Sequence, residues 1–184
     1  MIVYLIRHGQ TEATERHLYC GSTDLPLSPS GREALLRRGR LDIQNVQFIS
    51  SGLRRADETL RLLFGPVPCR VEPRFREVDF GRFEMHSYEQ LQDRPDYQAW
   101  LSGDNQRNVP PGGESGAQMT ARALEALSQL REDSCIVTHG GVIAAIMAQL
   151  FPAEGKNRYQ WQPAPGGGYR LYLTAHTRRY EILT

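Results

Sequence analysis

Ile2-Val3-Tyr4-Leu5-Ile6-Arg7-His8-Gly9 opens the chain as a short, mostly apolar β-type run that stops at a basic residue, a histidine and a glycine. Such a run reads as a strand buried on both faces, followed by a loop. Cys135-Ile136-Val137-Thr138-His139-Gly140-Gly141 repeats the pattern late in the chain. Strands buried on both faces belong to sheets covered by helices on either side. In open sheets of that kind, ligands bind just beyond the carboxyl ends of the strands. If the two strands are neighbours, His8 and His139 meet at one site, and the glycines let the backbone come close to a ligand there.

The intervening sequence supports that architecture. Pro26, Ser28, Pro29 and Gly31 mark a loop, and Ser30 with Glu33 predicts a capping box opening a helix over Arg32–Gly39. Val46–Ser50 reads as a strand. Ala56, Thr59, Leu60, Leu63 and Phe64 share one face of a helix that ends at Gly65-Pro66. Pro68–Glu72 is a short third strand. Ala117, Ala121, Leu124, Leu127 and Leu130 give a long amphipathic helix, and Val142–Phe151, apolar on most sides, a buried one stopped by Pro152. Tyr169–Ala175 and Arg179–Leu183 form a closing hairpin. Alternating strands and helices predict an α/β domain with a largely parallel sheet and helices on both faces. Residues from about 78 to 113 break the rhythm. They are rich in aromatics and interrupted by prolines, and read as a lid-like insertion holding one or two short helices.

The chain's 184 residues suit one domain spanning 1–184. A net charge of +1 gives no broad field for nucleic acid or an anionic membrane. No apolar run approaches ~20 residues, so no membrane span is expected. Cys20, Cys69 and Cys135 are odd in number and widely spaced, which fits neither a disulfide framework nor a zinc site. A reducing, cytoplasmic setting is expected, and the immediate opening strand leaves no room for a signal peptide.

Arginines complete the picture. Arg7 precedes His8. Ser51-Gly52-Leu53-Arg54-Arg55-Ala56 follows the second strand and enters a helix, so Arg55 lies near both a strand end and a helix N-terminus. Guanidinium groups stay charged and donate paired hydrogen bonds, which suits phosphate. Arg54 is the competing candidate, as a solvated helix charge. Two arginines and two histidines around one point make a phosphate pocket without a metal or cofactor.

These residues resemble the histidine phosphatase superfamily, the phosphoglycerate mutase-like proteins. Arg7-His8-Gly9-Gln10-Thr11-Glu12 and Leu25-Pro26-Leu27-Ser28-Pro29-Ser30-Gly31 match its pattern, as do Ser51 to Thr59, Glu77 to Glu84, Pro111 to Ser115 and Val137 to Val142. The pieces run in order over nearly the whole chain. The resemblance implies a three-layer α/β/α sandwich with a six-stranded sheet of order 3-2-4-1-5-6, strand 5 antiparallel. It implies that His8 is the nucleophile and becomes phosphohistidine. Arg7, Arg55 and His139 would hold the phosphoryl oxygens, and Glu77 would be general acid, then general base. Asp79 and Glu84 are the nearby carboxylates that could compete for that role. Substrate contacts are expected also from Thr14, Cys20, Gly21 and Gly140, with Met85 and His86 from the lid, where Phe83, Tyr88 and Trp100 could add more. Phe80-Gly81-Arg82-Phe83-Glu84-Met85-His86 is similar to the α-ribazole phosphatase group, which removes phosphate from α-ribazole 5′-phosphate in cobalamin nucleotide-loop synthesis. The sequence departs from the superfamily pattern at Thr14, usually Asn, at Phe83, usually Trp, and at Met85, most often Gly. A phosphoglycerate mutase, a broad-specificity small-molecule phosphatase, and a catalytically dead phosphate-binding module are the competing readings.

Overall fold

Arg7 pairs with Thr138 across two parallel central strands, so the next residues of each, His8 and His139, leave the sheet side by side. The strands are β1 (Ile2–Arg7) and β4 (Ser134–Thr138). This computed structural model describes residues 1–104 and 106–184. Beyond β4 lie β2 (Gln47–Ser50) and then β3 (Cys69–Val71), both parallel to it. On the other side of β1, β5 (Gly168–Leu173) runs antiparallel, and β6 (Arg178–Leu183) turns back against β5. The sheet order is β3-β2-β4-β1-β5-β6, with the reversed fifth strand that the resemblance implied. Gly168 faces Ile6, where a Cβ would collide with the Leu5 carbonyl, so that close approach requires glycine.

Side chains alternate between the two faces of the central strands, as pleating demands, and β4 is buried along its whole length. Val3, Leu5 and Ile136 pack with α6 (Gly116–Ser128) and α7 (Gly140–Leu150) on one face. Ile6, Cys135 and Val137 pack with α2 (Pro29–Arg38) and α3 (Arg54–Phe64) on the other. Each fully buried Leu, Ile or Val is worth about 1.5–3 kcal/mol relative to exposure. The two-sided core therefore fixes the strand ends rigidly.

Local chemistry moved two helix starts. Helix α2 begins at Pro29, not Arg32, because the cap is Ser28, whose Oγ accepts the Gly31 N–H at 3.1 Å. Proline fits the first helical position, where its missing N–H costs nothing. Ser30 instead donates to the Glu15 carboxylate at the end of α1 (Glu12–Glu15). Helix α7 takes in Gly140 and Gly141 ahead of Val142.

The 78–113 stretch contains a 3-10 turn at Gly81–Phe83, α4 (Tyr88–Leu91) and α5 (Pro95–Leu101). It has a small core of its own, Phe83, Leu91 and Tyr97, with Tyr19, Phe80 and Trp100 packed around it. Among the described residues no helix is long and apolar enough to cross a membrane.

Candidate active site

His8 and His139 stack edge to face with ring centroids 5.0 Å apart. The His8 amide donates to the Thr138 carbonyl at 2.9 Å, which continues the strand register one residue into the loop. Burial, reinforced by Arg55 and Arg7, pushes the His8 imidazole down to a pKa of about 3. Neutral His8 must therefore place its one ring proton. Its Nδ1 lies 2.7 Å from the Gly9 carbonyl, which can only accept, so Nδ1 carries the proton. Nε2 is left as a bare lone pair, the state a nucleophile needs. Thr59 fixes the loop by accepting the Gly9 N–H at 2.9 Å and donating to the Arg55 carbonyl.

Arg55 is fully buried and held at three nitrogens. Nε donates to His139 Nδ1 at 3.3 Å, and the terminal nitrogens donate to the carbonyls of Thr23 and Gly21 at 2.7 Å each. Two of its five N–H groups remain for a ligand. Arg7 donates to the Pro163 carbonyl at 2.8 Å, and its Nε is buried without a partner. Both arginines line a cavity of about 260 Å³ that also takes in His8, Thr11, Thr14, Cys20, Glu77 and Gly140. Burial pushes the Cys20 thiol up, so it meets that cavity as a neutral S–H.

Glu77 is the one carboxylate lining this cavity among the described residues. One of its oxygens accepts the Gly141 N–H at 2.8 Å and the other the Val78 N–H at 3.0 Å. Any Cβ at Gly141 would run into the Glu77 carboxylate, so glycine at the start of α7 makes room for it. The competing carboxylates are spent elsewhere. Glu84 accepts from the amides of Gly21, Ser22, Thr23 and Phe80 and from the Thr23 hydroxyl. Asp79 accepts from the Ser22 hydroxyl and the Gly81 amide.

Several sequence expectations are relocated. His139 is completely buried and stands outside the cavity lining. Arg55 can only donate to its Nδ1, so Nε2 carries the proton and donates to Ser51 Oγ at 2.9 Å. It backs His8 and Arg55 from behind, with its own pKa driven well down by burial and by Arg55. Gly21 contributes through its carbonyl on Arg55. Arg54 caps nothing in the site; its amide bonds Asp24. Met85 and His86 lie outside both cavities that reach Glu77 from the aromatic side, with His86 Nδ1 turned to the Glu84 carbonyl at 2.8 Å. Phe83 is wholly buried in the small core, and Tyr88 is exposed beside Tyr97.

A second cavity, about 180 Å³, shares Tyr19, Glu77, Phe80 and Gln162 with the first. Trp100, Arg158 and Tyr159 form its farther walls. Gln162, Arg158 and Tyr159 come from a stretch without periodicity or motif, so the sequence held no signal for them. Tyr19 and Phe80 were within reach, as aromatics flanking Cys20 and following Glu77. A larger hollow of about 600 Å³ between α3 and β3 contains neither histidine.

A bare imidazole nitrogen, two arginines and a carboxyl group face one cavity, an arrangement suited to an enzyme of phosphate esters. The chain belongs to the histidine phosphatase superfamily, branch 1, whose model matches residues 3–183, and it is a phosphoric monoester hydrolase. Adenosylcobalamin/alpha-ribazole phosphatase of Salmonella typhimurium is 31% identical over 181 residues, covering 90% of this chain and 87% of the relative. A structure from Escherichia coli K-12, provisionally assigned as an alpha-ribazole-5′-P phosphatase, superposes with a TM-score of 0.88 at 26% identity, covering 100% of this chain and 96% of the other. A phosphoglycerate mutase structure from Thermus thermophilus gives 0.78 at 31% identity, covering 100% and 99%.

Proposed function

We propose that this chain is a metal-independent phosphomonoesterase that works through phosphohistidine on His8 and whose substrate is α-ribazole 5′-phosphate. The observation that carries the chemistry is the 2.7 Å contact of His8 Nδ1 with the Gly9 carbonyl, which assigns the proton to Nδ1 and leaves Nε2 bare in the cavity of Arg7 and Arg55. His8 Nε2 attacks phosphorus as the ester oxygen departs in line. Glu77 gives that oxygen a proton, because an alkoxide leaves poorly. Glu77 then takes a proton from water, whose oxygen attacks the phosphohistidine. Phosphate leaves and His8 is restored. Phosphoryl transfer needs positioning and charge stabilisation more than covalent assistance, and Arg7, Arg55 and the N-terminus of α7 supply the positive side. In this reading the guanidinium groups of Arg7 and Arg55, both lining the cavity, are the cations that offset phosphate.

The second cavity supports the substrate. Glu77 stands where the two cavities join, so the group attached to the departing oxygen extends among Tyr19, Phe80 and Trp100. Aromatic faces suit a flat base such as benzimidazole. In this reading residues 78–113 form a lid, and Thr14 and Cys20 touch the phosphate side. Of the lid residues expected from the sequence, Trp100 lines the second cavity, joined there by Phe80, whereas Met85 and His86 line neither cavity. A phosphoglycerate mutase would need cations for a carboxylated sugar, and Arg158 is the one cation lining the second cavity among the described residues. Release of phosphate from α-ribazole 5′-phosphate, nucleoside 5′-phosphates, ribose 5-phosphate and 3-phosphoglycerate tests this. The expected order puts α-ribazole 5′-phosphate first by kcat/KM, with Trp100→Ala narrowing its lead over ribose 5-phosphate. Preference for 3-phosphoglycerate, or no turnover of any ester, would reject the reading.

A further inference from the structure

Arg122 lies on α6, outside the cavity that holds His8, yet all five of its N–H donors are engaged around the segment that carries Glu77. One terminal nitrogen donates to the carbonyls of Arg74 and Arg76 at 2.7 Å each. The other donates to the carbonyl of Glu77 at 3.0 Å and to the Glu114 carboxylate. Nε donates to the second oxygen of Glu114 at 3.0 Å. Glu114 in turn is stitched to the far side of the same segment. Its carboxylate accepts the Asp79 amide at 3.2 Å, and its own amide donates to the Asp79 carbonyl at 2.9 Å.

We propose that Arg122, locked by Glu114, is a positioning residue that sets where the Glu77 carboxyl group stands relative to the departing oxygen. The two residues grip the backbone on both sides of Glu77, at 74, 76, 77 and 79. Downstream, Glu84 accepts the Phe80 amide and Ser22 bonds the Asp79 carboxylate, but neither touches the backbone from 74 to 79. Upstream, other side chains hold the segment. Thr138 donates to the Phe75 carbonyl at 2.6 Å, and the Arg76 side chain donates to the Ser51 carbonyl at 3.2 Å. Among the described residues, Arg122 is the only side chain that bonds Glu77's own carbonyl. A planar fork suits this task, because its donors are fixed relative to one another and tie several carbonyls to one plane. Proton transfer is steep in distance: a misplacement of about 1 Å can cost on the order of 100-fold.

The inference rests on Glu77 as proton donor, and leaving-group chemistry tests the two separately. An aryl oxide departs without help, whereas an alkoxide needs the proton. The ratio kcat/KM covers steps through phosphoryl transfer to His8, so it isolates that proton. In Arg122→Lys, which keeps the charge but loses the fork, kcat/KM for glycerol phosphate should fall by about 30- to 100-fold. For p-nitrophenyl phosphate it should stay within about threefold of wild type. On glycerol phosphate the double variant Glu77→Gln/Arg122→Lys should be no worse than Glu77→Gln alone. Glu114→Gln, which retains an acceptor for Asp79, should show the same split more weakly, and it serves if Arg122→Lys fails to fold. Equal losses on both esters would make Arg122 a fold anchor only. Additive losses in the double variant would separate it from Glu77. Absence of any split in Glu77→Gln would remove Glu77 as donor, and this proposal with it.

Discussion

Arg55 Nε donates to His139 Nδ1, and that single contact decides how the second histidine takes part. An arginine cannot accept, so His139 must, and it stays neutral as long as the contact lasts. Positive charge at the site therefore rests on the two guanidinium groups, with His139 serving as the acceptor that aims one of them. Arg55→Lys shortens the reach and removes the fork. It should lower kcat/KM by about 100-fold or more, since the three anchors at His139, Thr23 and Gly21 cannot be met by one ammonium. Steady-state kinetics with p-nitrophenyl phosphate checks this, and activity within about threefold of wild type would contradict it.

His8→Ala should abolish turnover, and brief incubation of wild type with labelled substrate should leave acid-labile label that maps to His8. Vanadate, able to adopt the trigonal bipyramid of the transition state, should inhibit strongly. EDTA should leave the rate unchanged. Recovery of activity only on adding a divalent cation would overturn the metal-independent reading.

The buried histidine also carries a pH signature. Its folded pKa of about 3 lies below the ordinary value of 6.5, so between those pH values the unfolded chain binds a proton that the folded chain refuses. Stability must then fall as pH is lowered through that window, at a slope of up to about 1.4 kcal/mol per pH unit from this one group. Thermal melts from pH 7 to pH 4 should show a falling Tm for wild type and a flatter course for His8→Ala. An identical slope in both would deny His8 this part.

Glu77→Gln should cost alkyl phosphates about 100- to 10,000-fold in kcat/KM and aryl phosphates under about tenfold. Gly141→Ala should resemble it in miniature. Alanine favours a helix over glycine by about 1 kcal/mol, so the fold should not suffer. Its Cβ would meet the Glu77 carboxylate and push it aside. Preserved Tm with selective loss on alkyl esters is the expected result, and undiminished alkyl turnover would refute it.

Much of this site could be read from the chain because its residues sit at strand ends, where burial and chirality leave little choice. Apolar runs ending in His8 and His139 reported both the sheet and the meeting point; the helix start pointed to Arg54 or Arg55, and register against the family pattern favoured Arg55. The roles of Met85 and His86 were not legible in the same way. A short irregular segment can present either face, and here a small aromatic core turned Phe83 inward and left Trp100 and Phe80 at the cavity. Gln162 and Tyr159 had no pattern to reveal them, since they reach the cavity through tertiary packing of a 3-10 turn over Arg158–Trp161. The displaced start of α2 had a simpler cause: Ser28 and Ser30 both fit a cap, and Pro29 selects the first.

Glu84 ties the 78–113 stretch, the lid of the proposed reading, to the loop of Gly21, Ser22 and Thr23, and the carbonyls of Gly21 and Thr23 hold Arg55. Opening the lid far enough to pull Glu84 away thus frees the loop that anchors the phosphate grip. Unlatching the mouth and relaxing the clasp become one cooperative event, so the amides of residues 21–23 and of Phe80 should exchange with deuterium at a common rate. The enzyme would let go of inorganic phosphate at the moment its exit opens.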